Sequence, residues 1–471
     1  MRKSVLLALP GALFLLSGCT SIPAYERPAA PVAANWPQSA KPAGERALAE
    51  LSWRRMLPDP RLQALIQAAL AHNRDLRIAV ARVEEARALY GIARAERLPT
   101  LNLTASQASV RTPGDLSATR QAQTSRRYEA GLGVTAFELD FWGRVKHLGE
   151  AARAGFLATE EARESFRLSL IADVANAYLG LQELNERVAL ARATLESRKE
   201  SLLLVRKRRE AGLAGDLDFL AADGVHEAAR ADLANLERNR AASENALTLL
   251  VGAEPENLPA GQRLGEQGIP LDIAVEVPST VLLARPDVRA AEQKLIAAHA
   301  NIGAARAAFM PRIGLNLAFG LAGATLSGLY DAGSGAWSFA PNLALPLFDG
   351  GRTQSGVDLA EARQVIAVAE YEKTIQQAFR ELADILAARD QLAGQLGAQE
   401  AAERAQAERL RLVEARYRAG VSSYLEVLDA QRDAYAARQG TVQTRRALLA
   451  SAAQLYKALG GGREAEKSGG V

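Results

Sequence analysis

The side chains able to do chemistry are few and scattered. The four histidines, His72, His147, His226 and His299, lie at no spacing that would let two of them share a metal ion. There is no glycine-rich phosphate loop and no nucleophile elbow. Adjacent acids such as Glu84 and Glu85 point to different faces of a helix and read as solvated. The three methionines (Met1, Met56, Met310) form none of the clusters that would favour copper export. Cys19 is the single cysteine and has no disulfide partner. An enzyme and a metal site therefore find no support. One charged pattern has a positional logic. Leu425 and Asp429 are four apart and share a helix face, and Asp429 and Arg432 are three apart. Alone, the second pair is an ordinary surface ion pair. Around a three-fold axis, Asp429 would make a ring of carboxylates that favours cations in transit, with Arg432 offsetting it.

These residues follow a turn, Tyr417-Arg418-Ala419-Gly420-Val421-Ser422-Ser423-Tyr424. Gly420 suits the left-handed residue that ends a helix. Ser423 with Glu426 reads as a capping box that starts the next one. The stretch 351–418 before the turn is helix-forming and free of proline, and the same texture continues to Leu459. A helix of about 68 residues is roughly 100 Å long, so other helices must lie along it. The turn occurs twice. Ala211-Gly212-Leu213 corresponds to Ala419-Gly420-Val421, and Gly252 to Gly460. Upstream, Asp75, Arg77, Gly91, Arg94 and Pro99 recur as Asp287, Arg289, Gly303, Arg306 and Pro311. The chain is thus a tandem duplication of a unit of about two hundred residues. In the first copy Asp429 becomes Ala221, so only the second tip would carry the acidic ring.

The chain opens with Arg2 and Lys3, a short apolar run to Leu16, and Leu16-Ser17-Gly18-Cys19. This is the form of a secretory signal, residues 1–18, too short to span a bilayer. The residues before Cys19 resemble the bacterial lipobox, which implies a covalent lipid on Cys19. Thr20 rather than Asp follows it, which by the same analogy favours the outer membrane. Residues 19–60 are dense in proline (Pro23, Pro28, Pro31, Pro37, Pro42, Pro58, Pro60) and read as an extended, lipid-anchored arm. Net charge is +3 with 24% charged residues, which gives no footprint for a nucleic-acid partner.

No later apolar run is long enough for a membrane helix, so any membrane crossing must be made of strands. Alternation supplies candidates. Ile313, Leu315, Leu317, Phe319 and Leu321 interleave with small or polar residues, and 337–347 alternates likewise. The first copy is weaker: Leu101, Leu103 and Ala105, then Tyr128, Ala130, Leu132, Val134 and Ala136. Polar, glycine-containing loops join each pair. Such segments suit an outer-membrane barrel, or a sheet covering a soluble core. Four strands cannot close a barrel, and an open edge is forbidden in lipid. Two chains would roughly fill the lumen, and three would leave a pore, so a homotrimer is expected.

The helices fit this plan. Leu170, Val174, Ala177, Leu181, Leu184, Val188, Ala191 and Leu195 step alternately by four and three, a coiled-coil seam, and Ile375, Phe379, Leu382 and Leu386 share the spacing. The domain order expected is a first repeat over 61–252 with strands at about 100–140, an irregular segment over 253–284, and a second repeat over 285–460 with strands at about 311–348. A flexible tail is expected over 461–471. The fold class expected is α+β, mostly α.

Together the lipobox, the duplication, Pro-Ser-Thr-Val-Leu-Leu-Ala-Arg-Pro-Asp (278–287), Leu345-Pro346-Leu347-Phe348-Asp349-Gly350-Gly351 and 417–432 resemble the TolC-type outer membrane factors, nearest the NodT/OprM-like lipoproteins. The resemblance spans nearly all of the chain after the signal. It implies a trimeric channel-tunnel with a shared β-barrel of four strands per chain and a long periplasmic α-helical barrel. It implies two partners, a periplasmic adaptor and an inner-membrane pump of the resistance-nodulation-division class, and export of drugs or toxic small molecules. It places Leu425, Asp429 and Arg432 at a closed periplasmic aperture and makes Tyr417 a tether between neighbouring helices. The turns at Gly212 and Gly420 become the tips. Type I protein secretion, metal-cation export and a coiled-coil structural lipoprotein without a pore are the alternatives.

Overall fold

The computed structural model describes residues 24–33, 52–254, 257–270 and 279–461. The signal, Cys19, most of the arm and the tail past 461 lie outside the described residues. In chain order the helices and strands are α1 (Trp53–Met56), α2 (Pro60–His72), α3 (Arg74–Ala95), β1 (Leu101–Thr112), β2 (Gln123–Glu138), α4 (Arg144–Glu210), α5 (Asp216–Val251), α6 (Pro286–Ala307), β3 (Arg312–Gly323), β4 (Gly335–Ala344), α7 (Arg352–Arg418) and α8 (Tyr424–Ala458). Among the described residues no helix is long and apolar enough to cross a membrane. The chain divides into two compact units, and each draws on both repeats.

The first unit holds Arg82–Glu160, Ala290–Tyr371 and the described residues up to Ala29. Its sheet runs β1-β2-β3-β4, antiparallel throughout, so strands of the two repeats meet at the β2–β3 seam. Register aligns Leu103, Leu132, Phe319 and Trp337 in one row, and Leu101, Val134, Leu317 and Phe339 in the next. Alternate residues of a strand point to opposite faces, so these rows form one apolar face. The opposite face carries Asn102, Gly133, Ala318 and Ser338, then Thr104, Gly131, Gly320 and Ala336. Neither face is covered by the described residues. Phe319 is 69% and Trp337 78% exposed, and Val134 alone among the strand residues is buried. A sheet laid on a soluble core would bury every second residue, and this one does not. From Ile313 to Leu321 the apolar face runs about 26 Å, near the height of an outer-membrane barrel's apolar band.

Two local devices bend the sheet. The Gly131–Gly320 pair brings backbones so close that a Cβ on Gly320 would lie 2.3 Å from the Ala130 carbonyl oxygen. The β2–β3 register also shifts between Val134 and Phe137, where Ala136 adopts a positive φ of 54°. Its freed N–H donates to Asn316 Oδ1 at 2.8 Å. This is a β-bulge, a common way of turning a strand.

The strand ends differ from expectation. Alternation predicts a strand to Leu347, but β4 stops at Ala344. Pro346 has no N–H to give a ladder, and Asp349 already caps α7, accepting from the Gly351 N–H (3.0 Å) and the Thr353 N–H (2.8 Å). In the first repeat β1 and β2 run further than the apolar alternation, because polar residues such as Gln107, Ser109 and Arg126 continue the ladder. The polar stretch 327–335 contains a 3-10 turn, Ser327–Tyr330, with Leu329 buried.

The second unit holds Ala30–Ala81, Glu161–Arg289 and the described residues from Glu372 on. Its main core joins Trp53, Met56, Leu62 and Ile66 to Leu170, Ile171, Val174 and Tyr178 of α4 and to Leu449, Ala452 and Tyr456 of α8. Asp59 caps α2 through the Arg61 N–H (2.7 Å) and accepts from the Tyr178 hydroxyl (2.6 Å). Along the α4 seam Leu170, Val174, Leu181, Val188 and Ala191 are buried. The two repeats close in the same way. Asn73 Nδ2 donates to the Leu250 carbonyl at the end of α5 (2.7 Å), and Arg285 Nη1 donates to the Ala458 carbonyl at the end of α8 (2.9 Å). Arg285 also holds Asp287 (2.7 Å) and Glu381 (2.9 Å).

Candidate functional site: the paired tip turns

The candidate site belongs to the second unit. It is built where α4 turns into α5 and α7 into α8. Both long helices end alike. The Leu213 N–H bonds the Arg208 carbonyl (2.7 Å) and the Gly212 N–H bonds that of Arg209 (2.9 Å). At the second tip the Val421 N–H bonds the Arg416 carbonyl and the Gly420 N–H that of Tyr417, both at 3.0 Å. These paired bonds make a Schellman motif, which needs a left-handed residue. Gly212 (φ 72°) and Gly420 (φ 79°) supply it.

The return helices start differently. At α8 the Ser423 hydroxyl accepts from the Glu426 N–H (3.3 Å), and the Glu426 carboxylate accepts from the Ser423 N–H (3.4 Å). The Ser422 hydroxyl donates to the same carboxylate at 2.6 Å. That bond, then the Ser423 N–H, lowers the Glu426 pKa from its ordinary value. At α5 the first residue follows Gly215, which offers no side-chain cap, and Asp216 pairs instead with Arg209 (2.7 Å).

The two tips pack into one cluster. Leu202, Val205, Ala222, Tyr424 and Val427 are buried there, with Phe219, Tyr417 and Leu428 against them. The Tyr417 and Tyr424 rings lie 5.5 Å apart. Burial pushes the Tyr424 hydroxyl up to about 12.

The expected aperture residues stand outside this cluster. Leu425 is 66% exposed. Asp429 pairs with Arg432 at 3.3 Å. The charges continue: Arg432 reaches Asp433 (3.0 Å), and Asp433 takes Arg409 of α7 (2.7 Å). Arg409 first and Arg432 second hold the Asp433 carboxyl below the usual carboxylate range. Sequence reasoning missed Asp433 and Arg409. Asp433 was legible as the residue after Arg432, whereas Arg409 comes from the facing helix and has no local signal. Deeper along the same helices the Tyr435 hydroxyl donates to Asp232 of α5. No group of three or more His, Cys, Asp or Glu among the described residues could hold a metal ion.

Exposed apolar residues surround both turns: Leu213, Leu217 and Leu220 at the first, Val421 and Leu425 at the second. Two duplicated helical hairpins with a sheet bare on both faces define a known class. The profile described as outer membrane efflux protein matches residues 65–253 and 277–461, one stretch per repeat. The chain belongs to this family of outer membrane efflux channels, and its place is the outer membrane. It is 44% identical to outer membrane protein OprJ of Pseudomonas aeruginosa over 452 residues, covering 95% of this chain and 94% of that protein. It is 43% identical to the solvent efflux pump outer membrane protein SrpC of Pseudomonas putida, over 96% of this chain and 97% of that one. The open-state MtrE outer membrane channel of Neisseria gonorrhoeae shares the fold with a TM-score of 0.85 and 39% identity, over 94% of this chain and 98% of that one.

Proposed function

We propose that three copies of this chain close one β-barrel and form a passive, gated conduit that carries out no reaction of its own. The conduit serves a tripartite efflux system with a periplasmic adaptor and an inner-membrane pump of the resistance-nodulation-division class. Its cargo is drugs or toxic small molecules. A covalent lipid on Cys19 and the barrel hold it in outer membrane lipid.

The observation that carries this reading is the sheet, apolar on one face, small and polar on the other, with β1 and β4 left as open edges. Such a sheet fits lipid outside and water inside, and its edges need partners. Three chains bring enough strands for an open pore. Relatives named as solvent, toluene and antibiotic efflux components support small-molecule cargo and a pump partner. In this reading Leu425, Asp429 and Arg432 form the periplasmic aperture, Tyr417 braces it, and Gly212 and Gly420 set the tip turns.

The test is conductance of the purified, lipidated protein in a planar bilayer, with oligomer mass taken on the same sample. A trimer that opens, or opens once Asp429 and Arg432 are replaced, is the expected result. A non-conducting monomer or dimer, mutated or not, would sink the conduit.

A further inference from the structure

The apolar face of the sheet continues along the β1–β2 hairpin, past the rows described above. Beyond Leu103 and Leu132 come Ala105 and Ala130, and then Gln107 and Tyr128. The last two rows on this face are Ser109 opposite Arg126 and Arg111 opposite Thr124. The chemistry therefore changes in steps, from apolar to small, then to one aromatic, then to two arginines. Apolar band, aromatic rim and charged fringe is the order in which the outer wall of a membrane barrel meets hydrocarbon, interface and headgroups. β1 begins just after α3 and β2 ends just before α4, so the hairpin tip lies at the strand ends far from the helices. With the helices in the periplasm, that tip stands at the outer leaflet.

Ser109, Arg111, Thr124 and Arg126 make a patch of four exposed hydrogen-bond donors with no acid among them. Directly opposed residues have Cβ atoms about 5 Å apart, and same-face neighbours along a strand about 7 Å. One phosphate group can span that distance between two long guanidinium side chains. Gln107 Nε2 donates to Ser109 Oγ at 2.5 Å, which leaves the Ser109 O–H to donate outward. Arg111 and Arg126 form no ion pair among the described residues. The contrast is with Arg127, the next residue of β2, which faces the other way and pairs with Glu129. The arginine on the small, polar face has its acid, and those on the apolar face have none. An unpaired cation beside hydrocarbon is costly, and an anionic headgroup removes that cost.

We propose that this patch holds a phosphate of the outer leaflet's phosphorylated glycolipid, lipid A. Arg111 and Arg126 donate to the phosphate oxygens in charge-assisted bonds, for which the planar guanidinium fork is well shaped. The Ser109 and Thr124 hydroxyls add neutral bonds. The acyl chains run down the face over Tyr128, Leu132 and Leu103. The site rests on the proposed reading that the apolar face meets lipid. It lies within one chain and needs no residue of a second copy.

The experiment is native mass spectrometry of the full-length protein in detergent, with diphosphorylated lipid A and with the same lipid freed of its phosphates. One spectrum gives the oligomer and the lipid retained per chain. The phosphorylated form should be retained about tenfold more strongly. Arg111→Gln with Arg126→Gln should bring the two forms within about twofold of each other. Arg127→Gln, on the opposite face, should keep the full preference. A trimer with no preference for the phosphorylated form overturns the lipid site and leaves the conduit standing. So does a preference that survives the loss of both arginines, or phosphatidylglycerol retained as well as lipid A. A monomer or dimer whose lipid A retention still depends on the two arginines would uphold the site and sink the conduit. A monomer or dimer without that dependence would sink both.

Discussion

Arg208 lies over the ring of Tyr417, its guanidinium carbon 4.8 Å from the ring centroid, and so joins the last turn of α4 to the last turn of α7. The contact links one repeat's tip to the other's. A cation–π contact at an exposed site contributes about 0.5–1 kcal/mol. Arg208→Gln and Tyr417→Leu should therefore couple by about that amount in a double-mutant cycle of denaturant stability. Strictly additive losses would show that ring and guanidinium act independently.

The charge chain from Asp429 to Arg409 makes its members unequal. Asp429→Ala leaves Arg432 its other acid, Asp433. Arg432→Ala strips both Asp429 and Asp433 of that partner, although Arg409 still holds Asp433. Single-channel conductance should rise more for Arg432→Ala than for Asp429→Ala, and most for the pair. An unchanged conductance in the double variant would remove these residues from the aperture.

The capping box predicts a pH response. Glu426 has a lowered pKa in the folded chain. Its contribution is thus fully present above the unfolded value of about 4.3 and is lost as pH falls through the folded one. Amide protection over 422–428 should therefore fall on acidification below about pH 4, corrected for intrinsic exchange. Glu426→Gln keeps a weaker acceptor and should flatten that fall. A native profile as flat as the variant's would deny the carboxylate its role.

The bulge predicts a gain. Ala136 holds a φ that glycine adopts freely, and a left-handed alanine costs about 1–2 kcal/mol. Ala136→Gly should raise thermal stability by up to about 1 kcal/mol, net of glycine's greater unfolded freedom. Gly320→Val should do the opposite and prevent the assembled sheet, because no Cβ fits beside Ala130. Both are read by the melting of the oligomer on semi-denaturing gels.

The matching closures at the ends of α5 and α8 differ in chemistry and should differ in cost. Arg285→Ala leaves Asp287 and Glu381 without it and frees the Ala458 carbonyl, a loss of about 3 kcal/mol or more. Asn73→Ala frees one carbonyl and one N–H, those of Leu250 and Leu76, at about 1–2 kcal/mol. Equal losses would mean that the charge adds nothing.

Much of this was legible because the governing signals are local. Ser423 and Glu426 announce a capping box by spacing, and it forms. Gly212 and Gly420 announce left-handed residues, and both have them. The seam from Leu170 to Ala191 follows from period alone. The strands were legible only where their outward face is apolar, since Gln107 or Arg126 can continue a ladder without looking like a strand. Arg409 on Asp433 and Arg208 on Tyr417 depend on which helices lie side by side. No spacing within one helix records that. The second role of Arg285 was hidden in the same way: its position in the motif was visible, its hold on Ala458 was not.

The bare sheet has a consequence for how the protein is made. Part of the helical scaffold carries its own core, around Trp53, Tyr178 and Tyr456. The four strands have no such support among the described residues, which leave both faces bare and both edges open. Until they are covered, Trp337, Phe339 and Phe319 are an adhesive surface in transit. Folding of the strands, meeting of the copies and entry into lipid thus become one event. Its rate depends on how many newly secreted copies are present together, and a lone chain is left half made.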